Sequence, residues 1–228
     1  FLELECISSG LVGNNKGVDV LNHKINLPDF TDKDLLALNF AQENGIDEIF
    51  ISFCKSDEAV IKTKDINKNS RVTSKIESKL SIHNLENICQ VSNALLIDRG
   101  DLTREINIMD IPFAQRGIVQ IANSYKIPCF VATNVLESLI DGNLPTRAEL
   151  NDIVGTLEMG ASGIVLAAET AIGKKPILCA EIVKELIGRM QNALGITIGP
   201  NWNAGGDTVK EKYREPYKQF LEVIGAKP

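Results

Sequence analysis

Two patterns of hydrophobic residues alternate along the chain from residue 31 onward. Short, nearly continuous apolar runs, which are typical of strands buried on both faces, alternate with longer segments whose apolar residues recur every three or four positions, as in helices. The strand-like runs are IDEIFISFC, RVTSKIE, ALLIDRGDL, IPCFVATNV and SGIVLAAET. We therefore predict five strands, each followed by a helix, which is the pattern of a (β/α)8 barrel or of a doubly wound parallel sheet.

Capping residues support two of these helices. Thr31 precedes one helical segment with Asp34 three positions later, and Thr146 precedes another with Glu149 at the same spacing. The second pair forms the sequence signature of a capping box, which stabilises a helix by about 1 kcal/mol. Arg147 then lies in the first turn of that helix, and we expect its side chain to be solvated or at an interface.

Composition and charge argue against several classes of protein for this chain. The 228 residues are 44% hydrophobic, enough for a substantial core, and the net charge of −6 argues against a general nucleic-acid or membrane-surface binder. No apolar run reaches the roughly 18 residues of a membrane span, and no signal-peptide pattern is present. Five scattered cysteines favour reduced thiols, so we expect an intracellular, reducing compartment, the cytoplasm or an organelle.

Charged and polar residues cluster where the predicted strands end. Barrels and doubly wound sheets both place their sites at the carboxyl ends of strands. The sequence contains neither a dinucleotide-binding fingerprint nor a Walker loop. The residues at the predicted strand ends are Lys75 with Glu77, Arg99 with Asp101, Thr133 with Asn134, and Glu169 with Thr170.

Two interpretations of these charges stay open on spacing alone. Glu77 and Asp101 end consecutive strands, and two carboxylates with room for ligand oxygens suit Mg²⁺. Lys75 and Arg99 beside them would then neutralise a phosphate or an enolate, and Gly100 would let an anion approach the backbone. Alternatively, Lys75–Glu77 and Arg99–Asp101 are structural ion pairs.

Thr133 and the histidines are less informative. The Thr133 hydroxyl either contacts a substrate or is a satisfied hydroxyl at the end of a strand. His23 and His83 are isolated in the sequence, and no nucleophile or ligand set surrounds them. We therefore expect both histidines to be structural.

Several ordered segments together resemble the pyruvate kinase family. The resemblance runs from about residue 10 to residue 195 and implies the second part of a (β/α)8 barrel, strands four to eight. By the same resemblance, residues 1–25 are the end of a small β domain, 26–195 the partial barrel, and 196–228 a divergent loop and C-terminal helix. The segments are SKIES, DRGDL, IPFAQR, VATNVLESL and LPTRAELNDIVGTLEMGASGIVLAAETAIGKKP.

The resemblance also implies roles for individual residues. Lys75 corresponds to the family's catalytic lysine, which stabilises the phosphoryl group in transfer, and Glu77 and Asp101 correspond to its Mg²⁺ ligands. The backbone N–H groups of Gly100 and Asp101 would bind the substrate carboxylate, and Thr133 would contact the substrate near the enolate. The remaining matches are Phe53, which lines the substrate pocket, Arg99, a supporting and substrate-binding residue, and Glu169, a supporting residue.

The chain also departs from the family's pattern. Asp98 replaces an alanine before RGDL and adds a negative charge where an anionic substrate would lie. Ala167 replaces a serine of the family's proton relay, Thr103 replaces a glycine, and Asn134 replaces a glutamine. The family's opening motif for ADP phosphates and K⁺, barrel strands one to three and the effector-binding domain have no counterpart in this sequence.

Three functions remain open at this point. The first is phosphoryl transfer between phosphoenolpyruvate and ADP, giving pyruvate and ATP in glycolysis, with Mg²⁺ and with K⁺ bound outside this segment. The second is an inactive pyruvate kinase-like structural subunit of a larger assembly. The third is Mg²⁺-dependent turnover of an oxo-acid without nucleotide. We expect an oligomer or a larger assembly, and no nucleic-acid partner.

Overall fold

The computed structural model describes residues 5, 7–11, 13–14 and 27–194, with the side chains of the last two residues left out. The predicted remnant of a small β domain falls mostly outside these residues, and the loop and helix predicted for 196–228 lie wholly outside them. Both therefore stay predictions. None of the helices within the described ranges is long and apolar enough to cross a membrane.

The described chain alternates strands and helices as the hydrophobic pattern predicts. The strands are β1 (Glu48–Ile51), β2 (Arg71–Ile76), β3 (Ala94–Asp98), β4 (Cys129–Ala132) and β5 (Gly163–Val165). The helices are α1 (Asp32–Glu43), α2 (Asp57–Ile66), α3 (Lys79–His83), α4 (Leu85–Val91), α5 (Arg99–Glu105), α6 (Ile111–Ser124), α7 (Arg147–Glu158), α8 (Ala168–Ala171) and α9 (Pro176–Leu194). Short 3-10 helices span Ile108–Asp110 and Glu137–Leu139.

The five strands form one parallel sheet in the order β1-β2-β3-β4-β5. Each strand therefore lies beside the next one in the sequence, with helical structure in every connection. A doubly wound sheet reverses its strand order at one point, whereas the wall of a (β/α)8 barrel does not. The α/β class is confirmed, and within the described chain the strand order is that of a barrel wall.

One face of the sheet packs against helices. Because side chains alternate along a strand, every second residue of β2, β3 and β4 points to this face. These residues form one buried cluster with side chains of α2, α4 and α6. The strand residues in the cluster are Ile51 of β1 together with Val72, Ile76, Leu95, Ile97, Cys129 and Val131. The intervening residues, among them Lys75, therefore point to the opposite face.

Both predicted helix caps form. The Thr31 hydroxyl accepts a hydrogen bond from the Asp34 N–H, and the Asp34 carboxylate accepts one from the Thr31 N–H, which closes a capping box on α1. Thr146 and Glu149 form the same box on α7. Arg147 is exposed, in agreement with its predicted position in the first turn.

Three segments differ from the sequence-based prediction. One helix is predicted after each strand, but the helical segment after β2 is divided into α3 and α4 at Asn84, whose side chain donates to the Lys55 carbonyl at 2.7 Å. The strand-like run ALLIDRGDL is a strand only as far as Asp98, and the rest of it begins helix α5, which is held by the buried Leu102. The last predicted strand ends at Val165, and α8 follows it. In each case a short helix forms within a segment whose hydrophobicity alone indicated one continuous element.

The described cysteines are buried free thiols, namely Cys54, Cys89, Cys129 and Cys179. Burial raises the pKa of Cys89 to about 12, with a smaller contribution from Glu86. These side chains therefore behave as small apolar residues.

Candidate functional site

The carboxyl end of β2 carries a buried ion pair. Lys75 and Glu77 lie two positions apart, so they share the face that the helices do not cover. The Lys75 Nζ atom lies 2.5 Å from Glu77 Oε1. The other carboxylate oxygen, Oε2, accepts a hydrogen bond from the Phe53 N–H at 2.6 Å. Glu77 is fully buried, and these two contacts hold both of its carboxylate oxygens in place.

Asp98 approaches the same lysine from the neighbouring strand. The register pairs Ile76 with Ile97, which places Asp98 beside Glu77 at the same edge of the sheet. Asp98 Oδ2 lies 3.4 Å from Lys75 Nζ. The ammonium of Lys75 therefore lies between two carboxylates that come from two adjacent strands.

Burial and charge act in opposite directions on this pair. Burial lowers the pKa of Lys75, but the Glu77 and Asp98 carboxylates outweigh that effect, so the pKa rises above its usual value. Burial raises the pKa of Glu77, and the Lys75 ammonium and the Phe53 N–H offset this only in part. Lys75 therefore carries a positive charge at neutral pH, whereas Glu77 keeps its negative charge only through its contacts with Lys75 and the Phe53 N–H.

A third carboxylate completes an acidic cluster. One oxygen from each of Glu77, Asp98 and Asp101 lies within 4.8 Å of the others. Oxygens bound to one Mg²⁺ ion are at most about 4.2 Å apart, given bonds of about 2.1 Å, so side-chain shifts of a few tenths of an ångström would bring all three carboxylates to a single cation. Glu77 Oε1 is buried and accepts no hydrogen bond among the described residues, its one charged contact being Lys75. The donor set therefore fits a hard divalent cation.

Thr133 and Gly100 border this cluster. The Thr133 hydroxyl accepts a hydrogen bond from the Gly100 N–H at 2.9 Å and lies 3.2 Å from Asp98 Oδ1. The Gly100 N–H, predicted to bind a substrate carboxylate, thus has an internal partner. A ligand carboxylate would have to replace the threonine hydroxyl at that donor.

Arg99 holds the loop that carries Thr133. Its guanidinium donates to the carbonyls of Thr133 and Asn134 at 2.7 and 3.1 Å and to Asp152 Oδ2 at 2.6 Å. Thr133 and Asn134 have φ angles of 68° and 52°, in the left-handed region, which asparagine tolerates but which is strained for the β-branched Thr133. The guanidinium therefore stabilises a strained turn that positions the Thr133 hydroxyl.

The anticipated Arg99–Asp101 ion pair does not form. Arg99 pairs with Asp152 of α7, and Asp101 pairs with Arg104 one helical turn later, at 3.3 Å. The reason is that Arg99 and Asp101 lie in the first turn of a helix, where residues two apart point in different directions. Of the two ion pairs considered from the sequence, only Lys75–Glu77 exists.

Phe53 and Glu169 lie at the margins of the cluster. Phe53 has a φ of 48° and is 43% exposed, and its hydrogen bond to the cluster comes from its backbone N–H, which donates to Glu77. Glu169 is buried in α8, where one oxygen accepts from the Ala167 N–H and the other has no hydrogen-bond partner among the described residues. Glu169 makes no hydrogen bond to the Lys75 cluster in this part of the chain.

Sequence reasoning noted Asp98 as an added charge but not as a partner of Lys75. The signal was available, because Asp98 ends the strand that follows β2, and neighbouring parallel strands end at one edge. Asp152 was not anticipated, since it lies in the middle of a helix and nothing in its local sequence indicates a contact with Arg99. Its role depends on how α7 packs beside the sheet.

Consecutive parallel βα units with ionisable side chains at the carboxyl ends of the strands define an α/β protein of the barrel type. The family model for the barrel domain of pyruvate kinase matches residues 1–180. The chain belongs to the pyruvate kinase family.

Curated relatives agree with this assignment. Pyruvate kinase of Thermotoga maritima is 33% identical over 189 residues, covering 81% of this chain and 41% of that protein. Pyruvate kinase of Chlamydia muridarum is 30% identical over 230 residues, covering 99% and 47%. Pyruvate kinase isozyme G, chloroplastic, of Nicotiana tabacum is 34% identical over 197 residues, covering 85% and 35%. The chain thus spans less than half the length of these relatives.

Proposed function

We propose that the complete protein is a pyruvate kinase-like phosphotransferase that moves a phosphoryl group between phosphoenolpyruvate and ADP. One observation carries the proposal: strands β2 to β4 bring a lysine ammonium, a compact carboxylate cluster and a threonine hydroxyl together at their carboxyl ends. Family membership adds the expectation that these groups act on the substrates of pyruvate kinase.

Each group has a distinct task in this proposal. The Lys75 ammonium would stabilise the negative charge of the phosphoryl group during transfer. Glu77 and Asp101 would hold Mg²⁺, which when bound neutralises charge on phosphoryl and enolate oxygens. The Thr133 hydroxyl would contact the substrate near the carbon that is protonated, and Arg99 would keep that hydroxyl in place.

The proposal also requires parts outside this segment. Strands β1 and β5 are the two edges of the described sheet, and open edges of a parallel sheet are normally covered. By the family resemblance we assign β1 to β5 to barrel strands four to eight, and we expect strands one to three, which would cover these edges, from the rest of the protein or from another chain. The nucleotide site and the K⁺ site belong to those parts.

A coupled assay of pyruvate formation by the complete protein tests the proposal. Lys75→Met should lower kcat by about 1000-fold, because a positioned cation on the transferred phosphoryl group contributes on the order of 100- to 100,000-fold. The matched control is Lys68→Met, which removes an exposed lysine near the opposite end of β2 and should leave kcat unchanged. Equal rates for Lys75→Met and the unsubstituted protein would overturn the proposal.

One observation favours the second candidate, an inactive pyruvate kinase-like structural subunit. Asp98 contacts the ammonium that phosphoryl transfer would need, and so offsets its charge. If this function is correct, the purified complete protein shows no turnover above the Lys75→Met variant and occurs at fixed stoichiometry in a larger assembly. A monodisperse, active homo-oligomer would exclude this alternative.

A further inference from the structure

The turn that carries Thr133 is held in place from outside the carboxylate cluster. Thr133 follows β4 with a φ of 68°, a conformation that a β-branched residue keeps only when its surroundings fix it. Two consecutive residues at the start of α5 bind it. The Arg99 guanidinium donates to the Thr133 carbonyl at 2.7 Å, and the Gly100 N–H donates to the Thr133 hydroxyl at 2.9 Å. The position of this hydroxyl therefore depends on where the Arg99 side chain lies.

Asp152 of α7 fixes the Arg99 side chain. Its Oδ2 atom accepts a hydrogen bond from Arg99 Nη1 at 2.6 Å, and the Arg99 side chain is only 12% exposed. The other hydrogen bonds of this guanidinium within the described chain go to the neutral carbonyls of Thr133 and Asn134. A hydrogen bond between two charged groups is roughly twice as strong as a neutral one, so Asp152 is the strongest anchor of the guanidinium.

Helix α7 also holds the far end of the same loop. One turn before Asp152, the Glu149 carboxylate accepts hydrogen bonds from the N–H and the hydroxyl of Ser138 at 2.8 and 2.7 Å. The helix is itself anchored in the core by the fully buried Ile153. The loop from Thr133 to Ser138 is thus attached to α7 at both ends, through Arg99 at one end and directly at the other.

We propose that Asp152 is a positioning residue for the protonation step of the reaction, acting through Arg99 on the Thr133 hydroxyl. Transfer of the phosphoryl group from phosphoenolpyruvate to ADP leaves the enolate of pyruvate, which becomes pyruvate when its terminal carbon takes up one proton. A displacement of about 1 Å slows a reaction step by about 100-fold, even when no group that touches the substrate is removed. This inference rests on the proposed function, because it uses the same Thr133 hydroxyl.

The test compares the protonation step with overall turnover in the complete protein. Exchange of the methyl protons of pyruvate in D₂O with Mg²⁺ and ATP, followed by NMR, reports formation and protonation of the enolate, and the coupled assay reports pyruvate formation. Asp152→Ala removes the carboxylate, whereas Asp152→Asn keeps its shape and one acceptor oxygen. The matched control, Glu158→Ala, removes an exposed carboxylate at the end of the same helix. Thermal melts establish that each variant is folded.

The expected result is a loss of rate without a loss of substrate binding. Asp152→Ala should slow methyl exchange by at least about tenfold, while the KM for phosphoenolpyruvate changes by less than about twofold. Asp152→Asn should give an intermediate rate, and Glu158→Ala should match the unsubstituted protein. Unchanged exchange in Asp152→Ala would overturn the inference, as would an equal loss in Glu158→Ala.

A cavity beside the ion pair provides a second readout, which a purely structural role would not change. The cavity has a volume of about 190 Å³ and is lined by Arg99 and Asp152, with Gln115 and Thr156 among its other residues. A water molecule takes up about 30 Å³ in the liquid, so a formate ion with three heavy atoms fits here once the Asp152 side chain is removed.

Formate should therefore replace the missing carboxylate. Relative to its effect on the unsubstituted protein, formate should speed methyl exchange by Asp152→Ala at least about threefold. It should give no gain in Arg99→Met, which lacks the cation that would bind it. No gain in Asp152→Ala, or an equal gain in both variants, would contradict the inference.

Lys75→Met separates this inference from the proposed function. That variant should lose turnover whatever the role of Asp152. If Lys75→Met loses turnover while the Asp152 variants behave like the unsubstituted protein, the inference fails and the proposed function stands. If Lys75→Met is as fast as the unsubstituted protein, or if the unsubstituted protein shows neither exchange nor turnover, both fail.

Discussion

The two ends of strand β2 carry ion pairs of the same chemical kind in opposite surroundings. At the amino end, Arg71 pairs with Glu48 at 3.4 Å, with side chains 71% and 62% exposed. At the carboxyl end, Lys75 pairs with Glu77, with side chains 21% and 0% exposed. The exposed pair stabilises the fold little, because solvent screens it. The buried pair loses solvation, so its Coulomb attraction has a large opposing cost.

The comparison shows what the buried end is suited for. A fully buried Glu77 with two more carboxylates nearby is not an arrangement that stabilises a fold by itself. It becomes favourable when a bound cation offsets the repulsion. The amino end of the strand has an exposed ion pair alone, whereas the carboxyl end has the buried and clustered charge that the proposed cation site requires.

Removing the cation from each end should give the largest difference. Lys75→Met leaves Glu77 buried without its partner and should lower the free energy of unfolding by about 3 kcal/mol. Arg71→Met should lower it by less than about 1 kcal/mol. Urea denaturation of the complete protein measures both. Equal losses would show that burial does not distinguish the two pairs.

Divalent cations should stabilise one end of the strand only. With a dissociation constant near 1 mM, 10 mM Mg²⁺ raises the free energy of unfolding by about 1.4 kcal/mol, a rise in Tm of roughly 3–5 °C. The rise should vanish in Glu77→Gln and persist in Glu48→Gln, which removes a carboxylate from the amino end. A rise that persists in Glu77→Gln would place the cation elsewhere.

The capping box of α7 gives a reference value for the loss in free energy of unfolding when a hydrogen bond, and no buried ion pair, is removed. Thr146→Ala should lower the free energy of unfolding by about 1 kcal/mol, because it removes the acceptor for the Glu149 N–H. Thr31→Ala tests the same arrangement on α1. A loss above the one measured for Lys75→Met would contradict the ranking of these effects.

Glu149 should give a small pH dependence of known sign. Burial raises the pKa of this carboxyl, but N–H and O–H donors from Ser138 and Thr146 outweigh it, so the pKa is lowered. Its contribution to stability is therefore complete above the ordinary value of 4.5 and is lost as the pH falls through the lowered pKa. The free energy of unfolding, measured by denaturation at several pH values between pH 3 and pH 6, should therefore depend less on pH in Glu149→Gln than in the unsubstituted protein. Identical slopes would show that Glu149 does not titrate differently on unfolding.

The last prediction concerns the reactivity of the buried thiols, for which the smallest effect is expected in the native protein. Cys54, Cys89, Cys129 and Cys179 are buried, and burial raises the pKa of each. Iodoacetamide at pH 8 should therefore modify none of the four in the native protein and all of them in urea, as read by peptide mass spectrometry. Rapid native labelling of Cys89 would contradict its described burial.

The strands and the longer helices were predicted well, because each is specified by residues that are close together in the sequence. The short apolar runs and the Thr–x–x–Glu and Thr–x–x–Asp spacings specify β2, α1 and α7 from a few neighbouring residues. The short helix α5 was missed because a single buried residue, Leu102, anchors it. Hydrophobic period cannot identify so short an element.

The candidate site was predictable where chemistry follows the strand ends. Lys75, Glu77 and Thr133 were found in this way, and the structure brings them to one edge of the sheet. The pairing of Arg99 with Asp152 was not predictable, because it depends on the position of α7 relative to the loop after β4. The contact of Asp98 with Lys75 could have been anticipated, by contrast, because the two residues lie at the ends of consecutive parallel strands.

The central claim is that the carboxyl ends of β2 and β3 form a divalent-cation site, and anomalous diffraction tests it directly. Crystals of the complete protein soaked in Mn²⁺ should show one anomalous peak about 2.2 Å from carboxylate oxygens of Glu77 and Asp101. Crystals of Glu77→Gln, treated alike, should lack that peak. A peak confined to another surface, or none at saturating Mn²⁺, would contradict the account.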